Sequence, residues 1–91
     1  MDRVSFENLL KSDGYTEVEA KTLVPRPSNT EHAHDYDIRG LVLDGTFIVW
    51  QNQQAVPYRS GEIFAVPAGT EHSEEIGSEG ARIVVGRKYK I

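Results

Sequence analysis

The chain has no cysteine. Disulfide frameworks and thiolate metal sites are therefore excluded, and the absence is compatible with a reducing compartment without requiring one. It has no basic surplus either: ten Lys+Arg stand against fourteen Asp+Glu, a formal net charge of −4. Without cations to neutralise phosphates, nucleic acid is not an expected partner. Long apolar runs are also missing. The opening "MDRVSFENLL" has neither the apolar core of a signal peptide nor the length of a membrane span. The expectation is a soluble, cytoplasmic protein with no membrane partner. No Ser/His/Asp ordering, phosphate-cradling glycine loop or basic aromatic stretch is present.

What is present fits a single domain over residues 1–91, with 26% charged residues and an ordinary apolar fraction. "VSFENLLKSDG" predicts one short helix over about 5–13. Ser5 is the expected cap, Phe6, Leu9 and Leu10 form the apolar stripe, and Gly14 is placed to end it. From Thr16 the texture changes to short alternating runs between turn residues, predicting strands over about 16–90. Val18, Ala20 and Thr22 alternate with charged neighbours, and the two prolines of "PRPSNT" mark a loop. Asp44-Gly45 is a strong hairpin signal, and "PAG" and "GSEG" read as further turns. Seven or eight short strands at this spacing predict an all-β sandwich or barrel with one short N-terminal helix.

The chemistry is concentrated in "EHAHDYD", residues 31–37. In an extended segment, residues i and i+2 share a face about 6.6–6.8 Å apart, so His32 and His34 point the same way. Their nitrogens can converge on one ion. The chain holds one further histidine, His72, aimed by a turn built on Pro67 and Gly69. All three histidines thus fall into one spacing pattern, that of a metal site.

These residues resemble a known family. The stretch from Gly61 through Pro67 and Gly69 to His72 is similar to the second motif of the small single-domain, conserved-barrel cupins, G-x5-P-x-G-x2-H-x3-N, except that Ile76 replaces the final Asn. His32, His34 and Gly45 match the first motif, H-x-H followed by Glu and then Gly. The resemblance implies a double-stranded β-helix, a jelly-roll-like barrel. It also implies a pocket lined by His32, His34 and His72 and one divalent transition metal ion. Zn, Ni, Fe, Mn and Cu all accept imidazole.

One departure matters. The family's glutamate position holds Ile38, which cannot bind a metal. Asp37 reaches the pocket only if a bulge turns it inward, since alternation puts Tyr36 and Ile38 inward with His34. Glu74 shares the face of His72, so Glu74 and Asp37 are the candidate catalytic acids. Arg39, Tyr58 and Gln51 are further candidates for the pocket wall; Asp35 and Glu75 read as solvated, and Trp50, Phe47, Ile63, Phe64 and Val66 as packing residues.

Three function classes compete. The first is a metal-dependent enzyme acting on a small polar or anionic molecule by isomerisation, oxygenation or hydrolysis. The second is a non-catalytic metal or ligand sensor or accessory module, and the third a metal-free barrel. Fold cannot choose between them. Exposed strand edges in so small a domain, and the habit of small cupins, lead to the expectation of a homodimer.

Overall fold

Asp2, not Ser5, starts the helix. In the computed structural model, which describes residues 1–89, α1 spans Arg3–Ser12. Residue 90, the end of the expected strand region, lies outside the described residues. The Asp2 Oδ1 accepts from the Ser5 backbone N at 2.8 Å. Aspartate caps as well as serine does, and this earlier start turns Phe6 and Leu10 to the sheet and Leu9 outward, 41% exposed. Gly14 (φ 83) ends the helix as expected. Its N–H reaches Lys11 O at 3.1 Å and that of Tyr15 reaches Leu10 O at 2.9 Å, the paired bonds of a Schellman stop.

Five strands follow: β1 Thr16–Leu23, β2 Tyr36–Gln51, β3 Gln54–Arg59, β4 Ile63–Val66 and β5 Ser73–Tyr89. There are fewer than expected because two are long. Asp44-Gly45 makes no hairpin; both residues lie inside β2, opposite Arg82 and Ala81 of β5. The register shifts on either side of them. Gly45 (φ 77) faces Gly80 (φ 77), and a Cβ on Gly45 would stand 2.0 Å from the Gly80 carbonyl oxygen. A left-handed glycine serves a bulge as readily as a two-residue turn, and here it bends a continuous strand. "GSEG" likewise runs on within β5. The tight hairpin is at Asn52-Gln53 (φ 50 and 63), between β2 and β3.

The bend lets the long β2–β5 ribbon serve two layers. Its Tyr36–Val42 and Ile83–Tyr89 half carries β4 and β1 at its sides, and its Phe47–Gln51 and Ser73–Ile76 half carries β3. One core joins the two inner faces: Val42, Phe64, Val66 and Ile83 meet Phe47, Val49 and Ile76. On the outer face Leu41 and Val84 take the alternate positions and receive Phe6, Leu10 and Tyr15. Burying Phe6 and Leu10 contributes about 1.5–3 kcal/mol each. The architecture is the expected jelly-roll-like, mostly-β fold with one short helix, although the sheet path β1-β5-β2-β3 is not closed.

β1 departs from the expected face pattern. It is an edge strand with a bulge between Thr16 and Glu19, and Lys21 and Leu23, rather than Val18, Ala20 and Thr22, turn toward the interior cavity. Ile63 is 37% exposed, so it is not a core residue as expected. Among the described residues, no helix is long and apolar enough to cross a membrane.

Candidate metal centre and cavity

Two local features aim the histidines. His32 and His72 form an isolated antiparallel bridge, exchanging N–H···O bonds of 2.8 and 2.9 Å. Directly opposed residues share a face, and their rings stand 4.5 Å apart. His34, two residues on, brings its ring within 4.9 Å of His32 and 5.5 Å of His72. The second feature is the turn at residues 67–70. Thr70 N donates to Pro67 O at 3.2 Å, and Gly69 (φ 79) donates to His34 O at 2.8 Å. That bond ties the turn before His72 to the segment carrying the other two histidines.

The tautomers follow from the backbone. His32 Nδ1 lies 2.8 Å from Thr30 O and His72 Nδ1 lies 3.1 Å from Thr70 O. A carbonyl only accepts, so both Nδ1 atoms carry the hydrogen and both Nε2 lone pairs are left for another partner. The two histidines sit in the same tripeptide, Thr-Glu-His, at 30–32 and 70–72, an echo that was visible in the sequence and not used there. His72 is fully buried, and its Nε2 has no hydrogen-bond partner among the described residues. The candidate ligand atoms of His32, His34 and His72 all lie within 4.8 Å of one another, an arrangement that can hold a metal ion. A buried nitrogen without a hydrogen bond, beside two more imidazoles, fits a divalent cation. Burial, then the neighbouring His32 and His72, push the His34 pKa below its ordinary value, which keeps that ring neutral and able to coordinate.

The candidate acids separate. Glu74 lines the cavity, and its Oε2 stands 3.3 Å from His72 Nε2. Its backbone is pinned from outside: Arg26 donates to Glu74 O at 2.6 Å, and Asn29 Oδ1 accepts from Glu74 N at 2.9 Å. Asp37 is turned away from the cavity, and no bulge carries it inward. Its Oδ1 accepts from Ala68 N at 2.8 Å, in the turn that aims His72. Ile38 and Tyr36 do line the cavity. Asp35 is exposed, as read from the sequence, whereas Glu75 accepts from Trp50 Nε1 at 2.9 Å.

The cavity beside the histidines has a volume of about 260 Å³. Its floor is apolar, with Leu23, Phe47, Phe64, Ile83 and Val85 joining Ile38. Its polar wall holds three cations the sequence reading passed over: Lys21, Arg26 and Arg87. For Arg87 a signal existed, since Ile83, Val85 and Arg87 share one face of β5 by simple alternation. None of Arg39, Tyr58 and Gln51 reaches this cavity. Arg39 pairs with Asp13 and lies over the Tyr15 ring, while Tyr58 and Gln51 line a separate depression near the Asn52-Gln53 hairpin.

The comparisons with known proteins agree with this geometry. The family model described as "Cupin domain" matches residues 21–85, more than half of the chain. No curated protein matches the chain in sequence. Among solved structures, a cupin-2 domain containing protein from Shewanella frigidimarina is 22% identical with a TM-score of 0.68, covering 86% of this chain and 72% of its own. The Clostridium difficile EutQ protein is 19% identical with a TM-score of 0.72, covering 88% of this chain; the chain spans 61% of EutQ. A protein described as a predicted oxalate decarboxylase, from Thermotoga maritima, is 18% identical with a TM-score of 0.68 over 99% of this chain and 76% of its own. At these identities the likeness is one of fold.

Proposed function

The chain belongs to the cupin domain family, and from that premise we propose that it binds one divalent transition metal ion through His32, His34 and His72. A small polar or anionic molecule occupies the adjoining cavity. One observation supports this reading above the rest: the buried Nε2 of His72, which makes no hydrogen bond among the described residues and is held inward by the Nδ1 bond to Thr70. Leaving such an atom unmade costs about 1–3 kcal/mol, a cost that coordination removes. With Ile38 in the family's carboxylate position, the protein supplies three neutral ligands and leaves positions open. A bound ion there would act as a Lewis acid toward an oxygen of the ligand. The donor set admits Zn, Ni, Fe, Mn and Cu.

Glu74 favours a second, catalytic version of the same reading. Its carboxylate, at 3.3 Å from His72 Nε2, stands where a proton acceptor beside the metal would be needed. Asp37, bound to Ala68 N and outside the cavity lining, is not the acid to which this reading assigns proton transfer. Without turnover the same site serves as a ligand or metal sensor.

The test is elemental analysis of protein purified without a histidine tag, expecting one metal per chain. His72→Ala should remove the metal and leave the fold intact. Full occupancy in that variant would sink the assignment. We also propose a homodimer, supported by the almost wholly exposed edge strands β1 and β3, which need covering.

A further inference from the structure

Of the three cations in the cavity wall, two are already engaged. Arg26 is spent on Glu74 O and Pro27 O, with its other nitrogen 3.9 Å from the Glu74 carboxylate. Lys21 pairs with Glu19 at 3.7 Å. Arg87 belongs to none of the ion pairs formed among the described residues.

Arg87 is nevertheless held in place. Its guanidinium lies over the Tyr36 ring, 4.8 Å from the centroid, and Tyr36 in turn stacks on His34 at 4.8 Å with planes 16° apart. The Tyr89 ring packs against Tyr36 in turn, with 5.2 Å between centroids, and Glu17, at the β1 bulge, sits in the left-handed region (φ 52). Strained non-glycine backbone of this kind persists only where its surroundings hold it. A fixed guanidinium that forms no ion pair among the described residues, facing a cavity in an acidic protein, is a site for an anion. Two features narrow the anion. The cavity is small, and its floor is Ile38, Phe47, Phe64, Ile83 and Val85. A phosphate would set hydrated oxygens against that floor, whereas a carboxylate brings carbon to cover it.

The geometry points to a small aliphatic carboxylate as the ligand, its carboxylate on the Arg87 fork, its carbons over Phe47 and Phe64, and a second oxygen donor toward His32 and His34. Only the placement of that second donor rests on the metal reading above. Arg87 is then a specificity-determining residue, with Tyr36 positioning it.

Titration calorimetry of the metal-loaded protein tests this with succinate, its neutral diamide and inorganic phosphate, and with azide as a reporter of the metal alone. Wild-type protein should prefer succinate to the diamide and to phosphate. Arg87→Gln should weaken succinate at least about tenfold, as loss of a charge-assisted fork implies, and leave azide within about threefold. Succinate affinity unchanged in Arg87→Gln, a diamide or phosphate bound as tightly as succinate, or equal losses of azide and succinate would each overturn the proposal. Metal content measured on the same samples separates the two readings. A metal-free protein whose succinate binding still depends on Arg87 refutes the metal site and keeps the anion site. A fully loaded protein indifferent to Arg87→Gln does the reverse.

Discussion

The Glu74 carboxylate stands 3.3 Å from the Nε2 of His72, the one buried imidazole nitrogen without a hydrogen-bond partner among the described residues. Alternation along the chain brings them together, since residues two apart share a face. The contact gives Glu74 two possible relations to a bound ion, ligand or proton acceptor, and they predict different losses. With three imidazoles supplying the protein ligands, Glu74→Gln should hold its metal within a few-fold of wild type, while His72→Ala loses it. Metal titrations of the two variants decide. Loss in Glu74→Gln equal to that in His72→Ala shows the carboxylate to be a ligand. Metal retained with a measured activity lost marks it as the proton-transfer group.

Asp37 acts at one remove. Its Oδ1 holds Ala68 N, and the next residue, Gly69, holds His34 O, so one short turn connects all three histidine positions. Asp37→Ala should cost about 1–2 kcal/mol of stability by orphaning the Ala68 N–H, and weaken metal binding by letting His72 drift. Asp37→Asn keeps the Oδ1 acceptor and should restore most of both. Thermal melts and metal titrations of the pair read this directly; an Asn variant as damaged as the Ala variant would show that the charge, not the hydrogen bond, matters.

Much of this was legible in the sequence, for a physical reason. The period of two in "EHAH" survives any detail of the fold, so the shared face of His32 and His34 follows from local geometry, as does the inward turn of Tyr36 and Ile38. Gly45 is the opposite case. A left-handed glycine suits both a hairpin and a bulge, and only the partner strand, with Ala81 opposite and the Gly80 carbonyl pressed close, decides which. The helix cap shifted to Asp2 because two residues were equally able to cap and tertiary packing of Phe6 and Leu10 chose between them. Arg26 entered the cavity through a bridge to Ile76, a pairing between distant loop and strand that no local pattern encodes.

His34 contributes a pH response. His34 has its pKa lowered, chiefly by burial and then by His32 and His72, from an ordinary value of 6.5. Below 6.5 and above the folded value, the unfolded chain binds more protons at this site than the folded one. Stability of the metal-free protein therefore rises with pH through that window, and is lost as pH falls through the folded value. Metal affinity falls in the same direction, because protonated imidazole cannot coordinate. Melting curves of metal-free protein from about pH 5 to about pH 8 should show this slope, and His34→Gln should flatten it. A slope unchanged in that variant would assign the response to other groups.

The homodimer has its own check. Light scattering or sedimentation at tens of micromolar should report about twice the 10.2 kDa chain mass. A strictly monomeric protein would remove the claim, and would leave the exposed edges of β1 and β3 to be explained by other means.

Gly40 offers a way to alter the cavity without touching any polar group. It pairs with Phe64 of β4 on one side and Val85 of β5 on the other, and a Cβ there would fall 2.1 Å from Phe64 Cζ. The Phe64 ring cannot simply retreat, because it stacks on Phe47 at 4.5 Å. Gly40→Ala should therefore force both rings to shift, at about 1–3 kcal/mol of stability, as overpacked cores do. Since Phe47 and Phe64 form part of the cavity floor, the shift also takes space from the ligand. The histidines lie on the 32–34 segment and at His72, outside this contact. The expected result is a folded protein with a lower melting temperature, metal content unchanged and weaker binding of the cavity ligand. Ligand affinity equal to wild type would show that the floor at Phe64 lies outside the binding volume. Loss of metal together with ligand would show that the aromatic floor supports the histidines after all.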